Sequence, residues 1–149
     1  MENRVLVKVV GAFRIEDAAV CAVVRNLRLI TVVNFEGCDK LTDTTLEALA
    51  DSCPRIADVS FTRCYQLTDI GVNILATKCP KITIADFRHV SLLTDQGVIA
   101  FADKCANLRS IHLDYCINLD GTAQRALLAR EPPVTVLSHR YHDTPQPAP

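Results

Sequence analysis

Tryptophan is absent from these 149 residues, and aromatic side chains of all kinds make up only 5 %. A domain of this length buries roughly 70 % of its unfolded surface. With hydrophobic residues at 49 %, its core must therefore be built from thin layers of aliphatic side chains. Excess charge is lacking too. The formal net charge is −1 and the pI about 6.4, which leaves no global basic field to draw in nucleic acid or an anionic membrane. No apolar run approaches the roughly 18 residues that a membrane span needs. The opening MENRVLVKVVG has neither the charged n-region and long h-region of a signal peptide nor the Arg-rich helix of a transit peptide. Glycine numbers only five, and no GxxxxGK[ST] or GxGxxG phosphate loop occurs.

What the chain does have is a period of 26 residues. Three registers begin at Cys53, Cys79 and Cys105: CPRIADVSFTRCYQLTDIGVNILATK, CPKITIADFRHVSLLTDQGVIAFADK and CANLRSIHLDYCINLDGTAQRALLAR. An earlier copy, LRLITVVNFEGCDKLTDTTLEALADS, starts at Leu27. A fixed period in the twenties predicts a solenoid with one strand and one helix per repeat. The expected fold is therefore α/β, a parallel curved sheet with helices on the convex side. Such a fold offers a long open surface suited to holding other proteins.

Within each repeat the apolar period changes midway. Ile56, Val59 and Phe61 have strand-like spacing, with Val59 and Phe61 on one face, and Cys64 and Leu67 follow on the turn. Thr42, Thr68 and Thr94 are each followed by Asp, a pattern that predicts an N-cap and a carboxylate in the first helical turn. Asp120 replaces Thr in the last repeat and is expected to cap in its place. Leu46 and Leu49, Val72 and Leu75, Val98 and Phe101 mark one buried stripe per helix. Gly71 and Gly97, with Thr45 and Ala123 in the same column, keep an early helix position small where repeats meet. Residues 1–26 read as a degenerate first repeat, with a strand near Val5 to Val9 and a helix near Asp17 to Arg25. Residues 27–130 hold four repeats, 131–140 a terminal strand, and 141–149 a Pro-rich tail. In the terminal strand Val134 and Leu137 align with Leu108 and Ile111. Five of the seven prolines lie beyond residue 130.

Seven cysteines are an odd number for a disulfide framework, and most of them fall in the repeat frame. A reducing intracellular compartment, the cytoplasm first, is the simpler expectation. Neighbouring in-frame cysteines lie 11 or 15 residues apart, or 26 where Val90 intervenes, whereas zinc ligands come in close pairs. Val90 shares a column with Cys38, Cys64 and Cys116, and Leu27 shares one with Cys53, Cys79 and Cys105. Columns that accept Val or Leu ask for a buried apolar group, which free cysteine supplies. Cys21 has no partner in the frame. His139 and His142 in the tail make a poor metal site. His112, Asp114 and Cys116 contain acid–base ingredients, but nothing in the sequence supplies an oxyanion hole, a metal or a lid. No enzymatic activity, catalytic residue, metal or cofactor is expected.

The unit C-x2-[LI]-x2-L-x-[FL]-x2-C-x2-LTD-x-G resembles the cysteine-containing class of leucine-rich repeat. The resemblance covers about residues 27–130. It implies a protein-interaction role, because the class occurs in F-box/leucine-rich-repeat receptors that recruit substrates to ubiquitin ligases. It also occurs in mitotic-exit antagonists, in ciliary nexin–dynein regulatory proteins and in a mitochondrial ATP-synthase coupling factor. Here the repeat frame reaches back to about Arg4, so no F-box is expected ahead of it. The first expectation is thus a small adaptor or structural subunit of a multiprotein assembly, and the alternative a substrate receptor related to the F-box class.

Partner-binding candidates are read by column on the open face. One column holds Leu6, Val32, Asp58, Ile84, Ser110 and Val136; the next holds Lys8, Asn34, Ser60, Asp86 and His112. A third holds Val10, Glu36, Thr62, Arg88 and Asp114, and the turn beyond adds Arg63, Tyr65, His89 and Tyr115. Tyrosine and arginine are favoured interface anchors, although a solvated face has a similar mixture. The solenoid ends, marked by Leu6, Lys8 and Val136, are expected to dock as well, because terminal repeats leave core and strand edge bare.

Overall fold

The computed structural model describes residues 4–138. Strands and helices alternate along the chain: β1 (Leu6–Lys8), α1 (Asp17–Val24), β2 (Val32–Asn34), α2 (Asp43–Ser52), β3 (Asp58–Ser60), α3 (Asp69–Lys78), β4 (Ile84–Asp86), α4 (Asp95–Lys104), β5 (Ser110–His112), α5 (Thr122–Leu128) and β6 (Thr135–Leu137). The six strands form one parallel sheet in sequence order. Leu6, Val32, Asp58, Ile84 and Ser110 pair in a continuous row, each 26 residues from the last.

One face of every strand and one stripe of every helix close over a common core. Val33, Val59, Ala85 and Ile111 are fully buried between sheet and helices, as are Leu46, Leu49, Leu75 and Phe101. Phe35, Phe61 and Phe87 stack along the solenoid with centroids 6.2 Å apart, and Phe101 meets Phe87 edge-on at 5.3 Å. The ring column is confined to the three middle layers, with Val9 and Leu113 in the same position on either side.

The cysteine columns have a polar reason beyond apolar burial. Each peptide carbonyl has two lone pairs. Phe35 O accepts from Cys38 N of its own turn and from the Cys64 thiol of the next repeat at 3.1 Å. Phe87 O accepts in the same way from Val90 N and from Cys116 Sγ at 3.0 Å. In the second column Cys53 Sγ donates to Leu27 O at 3.4 Å and Cys79 Sγ to Cys53 O at 3.3 Å. The thiol is thus an apolar filler that also satisfies a second lone pair across the repeat boundary.

The Asp of each Thr-Asp pair likewise does more than face its own helix. Asp17 accepts from Thr42 N at 2.9 Å and from Thr42 Oγ1 and Thr45 Oγ1 at 2.6 Å. Asp43 binds Thr68 N at 2.9 Å, Asp69 binds Thr94 N at 2.9 Å, and Asp95 binds the backbone N–H groups of Asp120 and Ala123 at 2.7 and 2.6 Å. A carboxylate ladder therefore ties each helix start to the next. Gly71 and Gly97 are small for this reason, because a Cβ at either would overlap the Asp43 or Asp69 carboxylate.

Two expectations at the C-terminal end are corrected. Asp120 does accept from Thr122 N at 2.8 Å, but helix α5 begins only at Thr122, after Gly121 in a left-handed conformation (φ 97°). Gly121 stands where the other repeats carry the laddering Asp. The last repeat is also one residue shorter: Thr135, not Val136, pairs with Ser110, and Val136 pairs with Ile111. Val136 therefore turns toward the core and packs against it, half-buried, while Leu137 takes the open position beside His112. The physical cause is the seven-residue α5, followed by Pro132 and Pro133. Proline cannot extend a helix, so the chain returns to the sheet early. His139, His142 and the Pro-rich tail lie outside the described residues.

Candidate functional site

The strands continue as a hydrogen-bonded ladder past their third residue. Val9, Phe35, Phe61 and Phe87 each donate an N–H to the next repeat. Two residues further on, Gly11 N donates to Glu36 O at 2.7 Å, Gly37 N to Thr62 O at 2.8 Å, Arg63 N to Arg88 O at 2.9 Å and His89 N to Asp114 O at 2.9 Å. Reaching that carbonyl and then turning away from the sheet requires positive φ, and all five residues of the column have it: Gly11, Gly37, Arg63, His89 and Tyr115 lie between 60° and 75°. Glycine adopts this conformation without penalty; Arg, His and Tyr do not.

These three side chains form the rim of the open face. Arg63 is exposed, His89 half-buried, and Tyr115 is 40 % accessible. The His89 and Tyr115 rings stack with centroids 4.6 Å apart and planes 15° from parallel. Partial burial lowers the His89 pKa below its ordinary value, and the neighbouring cations Arg63 and Arg88 add to this; Asp114 opposes them. Tyr65 stands beside the row, 46 % accessible.

Behind the rim, Asp86 is nearly buried. Arg88 grips it as a fork, with Nη2 2.7 Å from Oδ2 and Nε 3.0 Å from Oδ1, and Thr62 donates to Oδ1 at 2.9 Å. Burial alone would raise the Asp86 pKa, but the Arg88 and Thr62 hydrogen bonds more than offset this and hold it low. Asp86 and Arg88 thus act first on each other. Asp114 is almost as buried as Asp86, while Glu36 and His112 are half-exposed on the open face. Sequence reasoning brought these residues to one surface but missed the strained column, whose signal was two glycines at Gly11 and Gly37 in register with Arg63, His89 and Tyr115.

The in-frame cysteines are unsuited to thiol chemistry. Burial pushes the pKa values of Cys64, Cys79, Cys105 and Cys116 up to about 12. Among the described residues no group of His, Cys, Asp and Glu gathers to hold a metal ion, and no helix is long and apolar enough to cross a membrane.

The N-terminal end presents a second surface. Between β1 and α1 the core is open, in a recess lined by Val7, Val9, Ile15, Ala19, Val20, Val23, Val24 and Phe35. Val23 is 54 % accessible, whereas its counterpart one repeat on, Leu49, is fully buried. Leu6 and Lys8 stand exposed on β1, whose outer side pairs with no strand among the described residues.

No family model and no curated protein matches the sequence. Among solved structures the chain is similar to one chain of the yeast Rad7–Elc1 complex, with a TM-score of 0.79 and 18 % identity over 91 % of its own length. It spans about a third (33 %) of the chain it matches. Together with the strand order and the repeating register, this likeness establishes the fold as an α/β solenoid of the leucine-rich-repeat kind.

Proposed function

We propose that this chain is a non-enzymatic protein–protein interaction scaffold, an adaptor or structural subunit of a larger assembly. Its repeats belong on this reading to the cysteine-containing leucine-rich class. The observation that carries the reading is the open N-terminal end. Val7, Val9 and Val23 occupy positions that are fully or almost fully buried in the next repeat, at Val33, Phe35 and Leu49. In the interior the covering element is always the neighbouring repeat, so what fits this end is an apolar strand and helix, and on this reading a partner supplies them. Leu6 and Lys8 flank that edge, and Glu36, Arg63, Tyr65, His89, His112 and Tyr115 supply the open face with a polar and aromatic mixture.

Light scattering on the purified chain tests this. The expected outcome is a mass that rises with protein concentration, and Val23→Glu should return it to a monomer by placing a charge in the recess. A wild-type chain that stays monomeric from dilute to concentrated solution would count against a permanent subunit and favour a transient adaptor. The second reading is a substrate-recognition component related to ubiquitin ligase receptors. It is favoured by the fold shared with a chain of the Rad7–Elc1 complex, and recovery of a Skp1-like adaptor and a cullin in a pull-down would put it first.

A further inference from the structure

The left-handed column is the place where this chain accepts strain it could have avoided. The backbone conformation is set by the ladder, since Gly11, Gly37, Arg63, His89 and Tyr115 share it whatever their side chain. Glycine fills the column in the first two repeats. In the next three it is replaced by large side chains that favour negative φ, so each carries a backbone penalty. None of the three fills the core: Arg63 and Tyr115 are exposed and His89 is half-buried. Packing therefore does not explain them, and strained residues held by an over-determined backbone gather at functional sites.

Their chemistry indicates what they hold. The Arg63 guanidinium makes no hydrogen bond or ion pair among the described residues, whereas Arg88 is already committed to Asp86. The stacked His89 and Tyr115 rings extend the row with a flat aromatic surface. A cation beside an aromatic platform is complementary to a carboxylate followed by an apolar or aromatic side chain. We propose that Arg63, His89 and Tyr115 are the anchoring row for an extended acidic segment of a protein partner, its carboxylate on Arg63 and its neighbouring side chain on the His89–Tyr115 stack. This rests on the scaffold reading and names the partner's chemistry.

Two measurements on the full chain test it. First, binding of a labelled random Glu/Tyr copolymer is followed by fluorescence anisotropy, with a Lys/Tyr copolymer and an oligothymidine as controls. The Glu/Tyr copolymer should bind, and Arg63→Gly and Arg63→Ala should each weaken it about tenfold or more, the loss of one charge-assisted contact. Second, Arg63→Gly should melt about 2–5 °C above Arg63→Ala, because both lose the guanidinium but only glycine relieves the backbone. Equal binding of the Lys/Tyr copolymer or of oligothymidine, or unchanged binding in both Arg63 variants, would overturn the proposal. So would an Arg63→Gly variant that melts no higher than Arg63→Ala, since the strain would then be absent. Any of these failures leaves the scaffold reading to stand or fall on the N-terminal recess, which Arg63 does not touch.

Discussion

A single sulfur atom shows how a residue type serves two masters here. Cys64 fills an apolar layer and at the same time donates its S–H across the repeat boundary to Phe35 O. Val90 performs the first task without the second, so the column tolerates it. With pKa values near 12, the thiols of Cys64, Cys79, Cys105 and Cys116 should resist iodoacetamide at pH 8 while the chain is folded. Cys21, half-buried on α1, should be labelled first, as mass spectrometry after a short pulse would show; rapid labelling of Cys64 or Cys116 would contradict the burial argument. Asp86 makes a second prediction. Its folded pKa is depressed below the ordinary 3.8, so its contribution to stability is present above that value and is lost as pH falls through the lower folded pKa. Asp86→Asn should reduce stability near neutral pH and flatten the acid limb of a stability-against-pH curve. An unchanged acid limb would show that the Arg88–Thr62 cradle does not stabilise the ionised form.

Between elements the deciding contacts are the carboxylates that bridge helix starts. Thr68 is both the cap of α3, accepting from Ile70 N, and a donor to Asp43 of the preceding helix. Thr68→Ala should therefore cost about 1–2 kcal/mol, the upper part of the usual capping range. Leu67→Ala, which empties a fully buried site, should cost roughly 2–5 kcal/mol. Denaturant melts distinguish the two, and equal losses would mean that cap and core have been misassigned. Much of this level was legible in the sequence. The change of period at Ile56, Val59, Phe61 and then Val72, Leu75 marked strand and helix, because a strand and a helix bury different spacings. The inter-repeat role of Asp17, Asp43, Asp69 and Asp95 was hidden, because a Thr-Asp pair looks the same whether the carboxylate serves its own helix or the next. The one-residue shift at Val136 was hidden for a related reason. Apolar alternation in VTVL fits two registers, and only the length of α5 chooses between them.

At the scale of the whole molecule, the candidate surface was legible as a set of columns but not as a geometry. Columns place Arg63, His89 and Tyr115 together, but only Gly11 and Gly37 in the same column hint that all three have positive φ, because the conformation belongs to the stacked turns and not to any one residue. The same stacking limits how far any perturbation spreads. The backbones of helices α1 to α5 approach only the next helix in the series and those of strands β1 to β6 only the next strand, apart from α5 with the adjoining β6, so stability is a sum of short-range couplings. The chain should consequently unzip rather than melt at one stroke. Amide exchange under native conditions should be slowest at Val59 and Ala85, in the middle of the row, and faster toward Val7. Protease cuts should accumulate from the ends before the centre opens. Uniform protection from β1 to β5 would indicate a fully cooperative unit. A graded profile instead makes the outermost repeat a natural point of control: whatever binds over α1 and β1 sets the rate at which the rest of the molecule comes apart.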